Sequence, residues 1–179
     1  MAVLVDDRKS RVRVDRRGLA RAAQRALSEV GRPAGAVEVA VVGDAEIRAL
    51  NRAHRGVARR TDVLAFPLES PAGALVGQVV ISAETASRQA RRLGVPCALE
   101  MALLVTHGVL HLVGYDDRDP VEATLMHRRE RDLLTGARRR IPARLWSGLL
   151  PPAGQDRGAP RPRRSAPSAG GLGAISGPP

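Results

Sequence analysis

Apolar positions along the chain change their spacing several times, and each change predicts an element. Between 16 and 30, Leu19, Ala22, Ala23, Ala26, Leu27 and Val30 recur at helical spacing, with Asp15 placed to cap the start and Gly31-Arg32-Pro33 to end the segment. Short apolar pieces at 3–5 and 12–14 offer at least one edge strand. The run Val37-Glu38-Val39-Ala40-Val41-Val42 reads as a strand, followed by a helix over 45–52 with Asp44 as its cap. A strand over 62–66, a Pro/Gly/Ser loop over 68–74 and a strand over 75–81 come next. Ser82 caps a helix over 83–93, and Pro120 opens a last helix over 121–134, closed by Gly136. This order predicts an α+β fold, a small mixed sheet of about four strands with one face covered by about five helices.

One segment departs from the amphipathic pattern. From 98 to 113 the only polar residues are Glu100, Thr106, His107 and His111. A helix that is apolar nearly all round is buried in the middle of its fold. It is too short and too interrupted to span a bilayer. Gly114 stands where such a helix takes a left-handed C-terminal residue. The central helix therefore carries two histidines at i, i+4 in its last turns, on one face, the arrangement with which a helix offers two nitrogens to one metal ion. Past the turn, Asp116 and Asp117 can each return to the same point.

Composition narrows the classes. Of 179 residues 44% are hydrophobic, enough for one domain with a sizeable core, assigned to 1–146. Aromatics are 2%, which excludes an aromatic-rich base-stacking platform. Cys97 is the single cysteine, so multi-cysteine zinc sites and intrachain disulfides are excluded. The first ten residues are too few and too charged for a signal peptide, and no apolar run reaches membrane length, so a soluble cytoplasmic protein is expected. From Pro151 on, Gly and Pro dominate, and 147–179 is expected to be a disordered Pro/Gly/Arg-rich tail.

The net charge is +11, and every basic residue except Lys9 is Arg, which suits a nucleic-acid partner. The tail sets Arg157, Arg161, Arg163 and Arg164 against Asp156, so most of the excess remains on the ordered part. Arg48, Arg52, Arg55, Arg59 and Arg60 form a run with no acid before Asp62, which points to phosphate contact. In the zinc-protease pattern H-E-x-x-H a Glu follows the first His as general base; here that position is Gly108, which speaks against peptide hydrolysis. A phosphodiester needs no such base if a metal acidifies water or polarises the phosphate and an Arg stabilises the developing charge.

The stretch His107-Gly108-Val109-Leu110-His111-Leu112-Val113-Gly114-Tyr115-Asp116-Asp117 resembles the signature H-G-x-L-H-L-x-G-Y-D-H of the YbeY family, bacterial endoribonucleases of rRNA maturation. Upstream, Leu50-Asn51, His54-Arg55-Gly56 and Thr61-Asp62-Val63-Leu64-Ala65-Phe66-Pro67 resemble the family's LN, YRG and TDVLSFP, and Gly77 to Ser82 resembles GDIvIS. The likeness runs over roughly 44–135, with several separated motifs in order. It implies a single-strand-specific, metal-dependent endoribonuclease in 16S rRNA 3′-end maturation and ribosome quality control. It also implies one divalent metal ion, zinc, on His107, His111 and the residue at the third ligand position, which here is Asp117 instead of His. Arg55, matching the Arg of YRG, takes the catalytic role, with Arg48, Arg52, Arg59 and Arg60 binding single-stranded RNA of the ribosomal small subunit.

The departures open alternatives. A carboxylate is a legitimate zinc ligand, but two His with one carboxylate also suits iron. His127 competes with Asp117 as third ligand, although its arginine neighbours mark it as a surface residue. Asp116 is read as a turn acceptor or as a partner that orients a ligand His. His54 stands where the family has Tyr, and Gln78 where it has Asp. Two other readings follow: a ribosome-associated RNA-binding factor that has lost its nuclease, and a metal hydrolase of another substrate.

Overall fold

Side-chain alternation in the strands decides which helix covers which face of the sheet. The computed structural model describes residues 2–7, 12–32, 35–68, 76–136 and 140–148. Its elements in chain order are β1 (Ala2–Asp7), α1 (Arg16–Glu29), β2 (Ala36–Val42), α2 (Asp44–Arg55), β3 (Val63–Leu68), β4 (Val76–Ser82), α3 (Ala83–Leu93), α4 (Cys97–Leu112) and α5 (Pro120–Thr135), with a short 3-10 helix over Ala143–Gly148. The sheet is mixed, in the order β1-β2-β4-β3: β1 and β4 run parallel to β2, and β3 runs antiparallel to β4. The edge strand expected from these pieces is the 3–5 one, within β1; residues 12–14 are outside any strand.

On one face Val37, Val39 and Val41 of β2 join Val79 and Ile81 of β4. They pack against Leu19 and Leu27 of α1, Met101, Leu104 and Val109 of α4, and Met126 and Leu133 of α5. The alternate residues Ala40, Val42 and Val80, with Leu64 of β3, form a second core on the other face, closed by Ile47 of α2. The expectation that helices cover one face is corrected here. The strands are apolar on both faces, as strands bearing parallel crossovers are, and α2 supplies the second cover.

Helix α4 is the centre. Eleven of its sixteen residues are buried, His107, Gly108 and Glu100 among them. It sits hard on the sheet at two glycines: a Cβ on Gly108 would lie 2.5 Å from Val79 Cγ1, and one on Gly77 would lie 2.6 Å from Leu112 Cδ1. The neighbour that needs Gly108 small is therefore the sheet. The 3-10 helix, not expected from the sequence, buries Leu145 against Ala90, Val95 and Leu103.

Asp44 does not cap α2. The cap position is Gly43, and Asp44 is the first helical residue. Its carboxylate accepts from Ser82 Oγ (2.6 Å) and Thr85 Oγ1 (2.7 Å) and pairs with Arg88 (2.8 Å). The β2–β4 register, Val42 beside Ser82, brings those groups together. Burial pushes the Asp44 carboxyl up, but hydrogen bonds from Arg88, Ser82 and Thr85 outweigh it and hold it at about 2. The loop expected at 68–74 and the tail expected from 147 fall, apart from Leu68 and residues 147–148, outside the described residues. No described helix is by itself long and apolar enough to cross a membrane.

Candidate metal centre

The end of α4 is shaped by its C-terminal turn. Gly114 has φ +101°, and the chain reverses there. Tyr115 N–H donates to Leu110 O (3.1 Å) and Gly114 N–H to His111 O (3.1 Å), the double closure of a Schellman motif. The reversal carries the Tyr115 carbonyl back onto the His111 ring and aims Asp117 at the histidine pair.

The three side chains meet at one point. His107 Nε2 and His111 Nε2 are 2.9 Å apart, and Asp117 places one oxygen 3.7 Å from each. All three ligand atoms lie within 4.8 Å of one another. Tetrahedral zinc with bonds of about 2.0–2.2 Å separates its ligand atoms by roughly 3.3–3.6 Å, so these spacings need only small adjustments.

The remaining ring nitrogens are committed elsewhere. His111 Nδ1 lies 2.9 Å from the Tyr115 carbonyl, which can only accept, so that nitrogen carries the proton. His107 Nδ1 lies 2.7 Å from Glu130 Oε1. Burial pushes the Glu130 carboxyl up, but hydrogen bonds from His107 and His127 win and hold it below the usual Glu range, ionised and accepting. The Nε2 atoms of both rings thus turn toward the same point, with a carboxylate as third neighbour. Two ring nitrogens at 2.9 Å need a proton or a metal ion between them. The residues fit a divalent cation held by His107, His111 and Asp117. Burial, and next the charge of His107, push the His111 imidazole below its ordinary value, which keeps its lone pair available.

The centre opens into a cavity of about 400 Å³. Arg55, from the end of α2, lines it together with Thr61, Asp62, His107, His111 and Asp117. Asn51, buried on α2, donates to Arg59 O (2.8 Å) and fixes the loop that follows Arg55. Asp62 accepts from Val63 N–H (2.9 Å) and Gln89 Nε2 (2.9 Å), anchoring the cavity wall.

Arg48, Arg52, Arg59 and Arg60 are exposed and do not line this cavity. Arg48 donates to Ala58 O (3.2 Å), and Arg60 pairs with Asp44 (3.7 Å). Arg118, absent from the sequence reading, does line it, exposed and beside Asp116. Its one sequence signal is adjacency to Asp117.

Three readings are refined by the structure. His127 is half-buried, because its Nδ1 turns inward to Glu130 Oε2 (2.9 Å), and it stands outside the ligand group. The Glu130 hydrogen bond raises its pKa. Asp116 accepts Arg118 N–H (3.0 Å), while the groups that orient the two histidines are Glu130 and the Tyr115 carbonyl. Gln78 follows Gly77 and precedes Val79, both turned toward α4, so by alternation it lies on the α2 face, away from the histidines. His54 packs its ring 4.7 Å from that of Phe66. Glu130 was the missed functional residue, and the signal was an acid in the apolar phase Met126, Glu130, Leu133 of α5.

A two-histidine, one-carboxylate group at the end of a core helix, buried at His107 and open to a cavity with arginine in its wall, is the arrangement that a metal-dependent hydrolase on an α+β fold uses. The family model described as Endoribonuclease YbeY matches residues 4–138. A curated Endoribonuclease YbeY of Anaeromyxobacter sp. (strain Fw109-5) is 42% identical over 135 residues, covering 74% of this chain and 70% of that one. The Endoribonuclease YbeY of Pelotomaculum thermopropionicum is 42% identical over 145 residues, 75% of this chain and 95% of its own. A solution structure of a Thermotoga maritima protein matches with TM-score 0.53 at 23% identity, covering 81% of this chain and 89% of that one, a likeness of fold. The chain belongs to the endoribonuclease YbeY family, and with it to the nuclease hydrolases.

Proposed function

We propose that this chain is a zinc-dependent endoribonuclease that cuts single-stranded RNA, acting on the 3′ end of 16S rRNA during maturation and in ribosome quality control in the cytoplasm. The observation that carries the reading is the convergence of the His107 and His111 lone pairs and the Asp117 carboxylate in the cavity that Arg55 lines. Family membership and the net charge of +11 support an RNA substrate.

His107, His111 and Asp117 hold the metal ion, which supplies Lewis acidity toward a phosphate oxygen and toward water. Glu130 and the Tyr115 carbonyl keep both ring Nδ1 atoms protonated, so neither ligand turns away. Arg55 meets the phosphate from the α2 side of the cavity and stabilises the charge that grows on it in the transition state. Arg118 faces the same cavity from the α4–α5 loop and offers a second guanidinium to the backbone. Arg52 and Arg59, exposed beyond the cavity, extend the track for neighbouring phosphates.

The test is cleavage of a fluorescent single-stranded RNA carrying the 3′ end of 16S rRNA by the purified full chain, beside a duplex of the same sequence. Chelation should abolish cutting, zinc should restore it, and the duplex should resist. Stoichiometric zinc with no cutting of any RNA would favour an RNA-binding factor over a nuclease.

A further inference from the structure

Glu130 lies on α5, 23 residues beyond His107, and is 0% exposed. Its two oxygens have separate partners: Oε1 accepts from His107 Nδ1 at 2.7 Å and Oε2 meets His127 Nδ1 at 2.9 Å. The rest of this face of α5 is apolar, with Met126 one turn earlier and Leu133 three residues later, both buried. An aliphatic residue in place of Glu130 would complete the α4–α5 contact without the cost of burying a charge. The carboxylate thus has a use that packing does not explain.

We propose that Glu130 is a positioning residue for His107, and that His127 holds Glu130 from the far side, so that His127, Glu130 and His107 form one chain behind the metal centre. The proposal rests on the metal-centre reading above and deepens it. An imidazole has two tautomers, and only the one with its proton on Nδ1 turns the Nε2 lone pair toward His111 and Asp117. The Oε1 contact selects that tautomer and fixes the plane of the ring. Rotation of the carboxylate would break that contact, and the His127 bond to Oε2 opposes the rotation. His127 Nε2 is itself enclosed and meets no hydrogen-bond partner among the described residues, so the ring is turned to serve Glu130 and nothing beyond it. The other ligand is held differently: His111 is oriented by a neutral backbone carbonyl, which no side-chain substitution removes. The two ligands should therefore differ in sensitivity, with the His107 side depending on α5.

The experiment measures zinc affinity of the full chain by competition with a chromogenic chelator, together with the His107 tautomer in the metal-free protein by ¹⁵N NMR. Glu130→Gln should bind zinc about 10- to 100-fold more weakly, with circular dichroism unchanged. Glu130→Asp, which keeps the charge, should recover part of that loss. His127→Gln should weaken binding by about threefold to tenfold. The wild-type His107 should carry its proton on Nδ1. Wild-type zinc affinity in Glu130→Gln, or a His107 proton on Nε2 in the metal-free wild type, would overturn the proposal. Should Glu130→Gln fail to fold, Glu130→Asp and His127→Gln carry the test, and wild-type affinity in both overturns it. Because no readout uses RNA, failure of the nuclease reading shows separately: a chain that binds zinc with the expected Glu130 dependence but cuts nothing loses the proposed function and keeps the positioning role.

Discussion

Gly108 and Val79 touch where the central helix meets the sheet: a Cβ built on Gly108 would lie 2.5 Å from one methyl of Val79 and 3.0 Å from the other. Val79 is fully buried and branched at Cβ, so rotation cannot clear both methyls. Replacing Gly108 by Ala gains about 1 kcal/mol of helix propensity, and the overpacking outweighs that gain. Gly108→Ala should lose up to about 2 kcal/mol net in urea unfolding. It should also lose metal, since His107 is the adjacent residue. Val79→Ala in the same chain should restore both, and a double variant no better than Gly108→Ala would show that the contact is not the cause.

Asp117 sets the charge of the centre. Asp117→His would make three neutral donors, leave more positive charge on the metal, and move the pH–rate profile to lower pH, with zinc held at least as tightly. Asp117→Asn keeps the shape but loses the charge and should weaken zinc binding. Titration of both variants against a zinc chelator checks this. Affinity and profile unchanged in both would reduce Asp117 to a turn residue.

Arg55 and Arg59 should separate cleavage from binding. Arg55 lines the cavity and Arg59 does not. Arg55→Ala should lower the cleavage rate by roughly 10²-fold or more while binding changes little. Arg59→Ala should mainly weaken binding and make its salt dependence shallower by close to one counterion. Single-turnover cleavage and fluorescence anisotropy across a salt series measure the two effects. A wild-type cleavage rate in Arg55→Ala refutes the assignment.

Glu100 should make stability depend on pH. It is 0% exposed in the first turn of α4, and neither carboxylate oxygen meets a hydrogen-bond partner among the described residues. Burial, and next the charge of Asp62, push its carboxyl up from 4.5 to about 7. Below 4.5 both the folded and unfolded chains carry the proton, and the contribution is complete. Between 4.5 and 7 the unfolded chain releases the proton while the folded chain keeps it, so stability falls with rising pH, by roughly 3 kcal/mol in total. Asp44, held at about 2, acts in the opposite sense and in a lower window, losing its contribution as pH drops from about 4 toward 2. Urea midpoints at pH 5, 6 and 7.5 should therefore decline in the wild type and flatten in Glu100→Gln. Equal slopes in the two proteins would remove Glu100 as the source.

Local chemistry made much of this protein legible before any coordinates. The all-round apolar stretch before Gly114 marked a central helix, and structure finds it buried over Cys97–Leu112 with Gly114 at positive φ. The i, i+4 spacing of His107 and His111 put both rings on one face, because a helix repeats every 3.6 residues whatever surrounds it. Short Val- and Ile-rich runs marked β2 and β4, and Ser82 was readable as a cap because its partner Thr85 N–H is three residues away.

What the sequence could not hold is what depends on distant segments meeting. The strand order β1-β2-β4-β3 follows from which apolar faces find cover. Asp44 looked like a local cap and was instead drawn to Ser82, Thr85 and Arg88, about forty residues on, when β2 paired with β4. His127 looked like a surface residue among arginines, until Glu130, buried by the packing of α5 on α4, supplied an acceptor beneath it. Periodicity reports which side of an element is apolar. It carries no record of which polar atom waits on the element opposite, and that match, made only when α4 and α5 close on each other, decides how His107 is held.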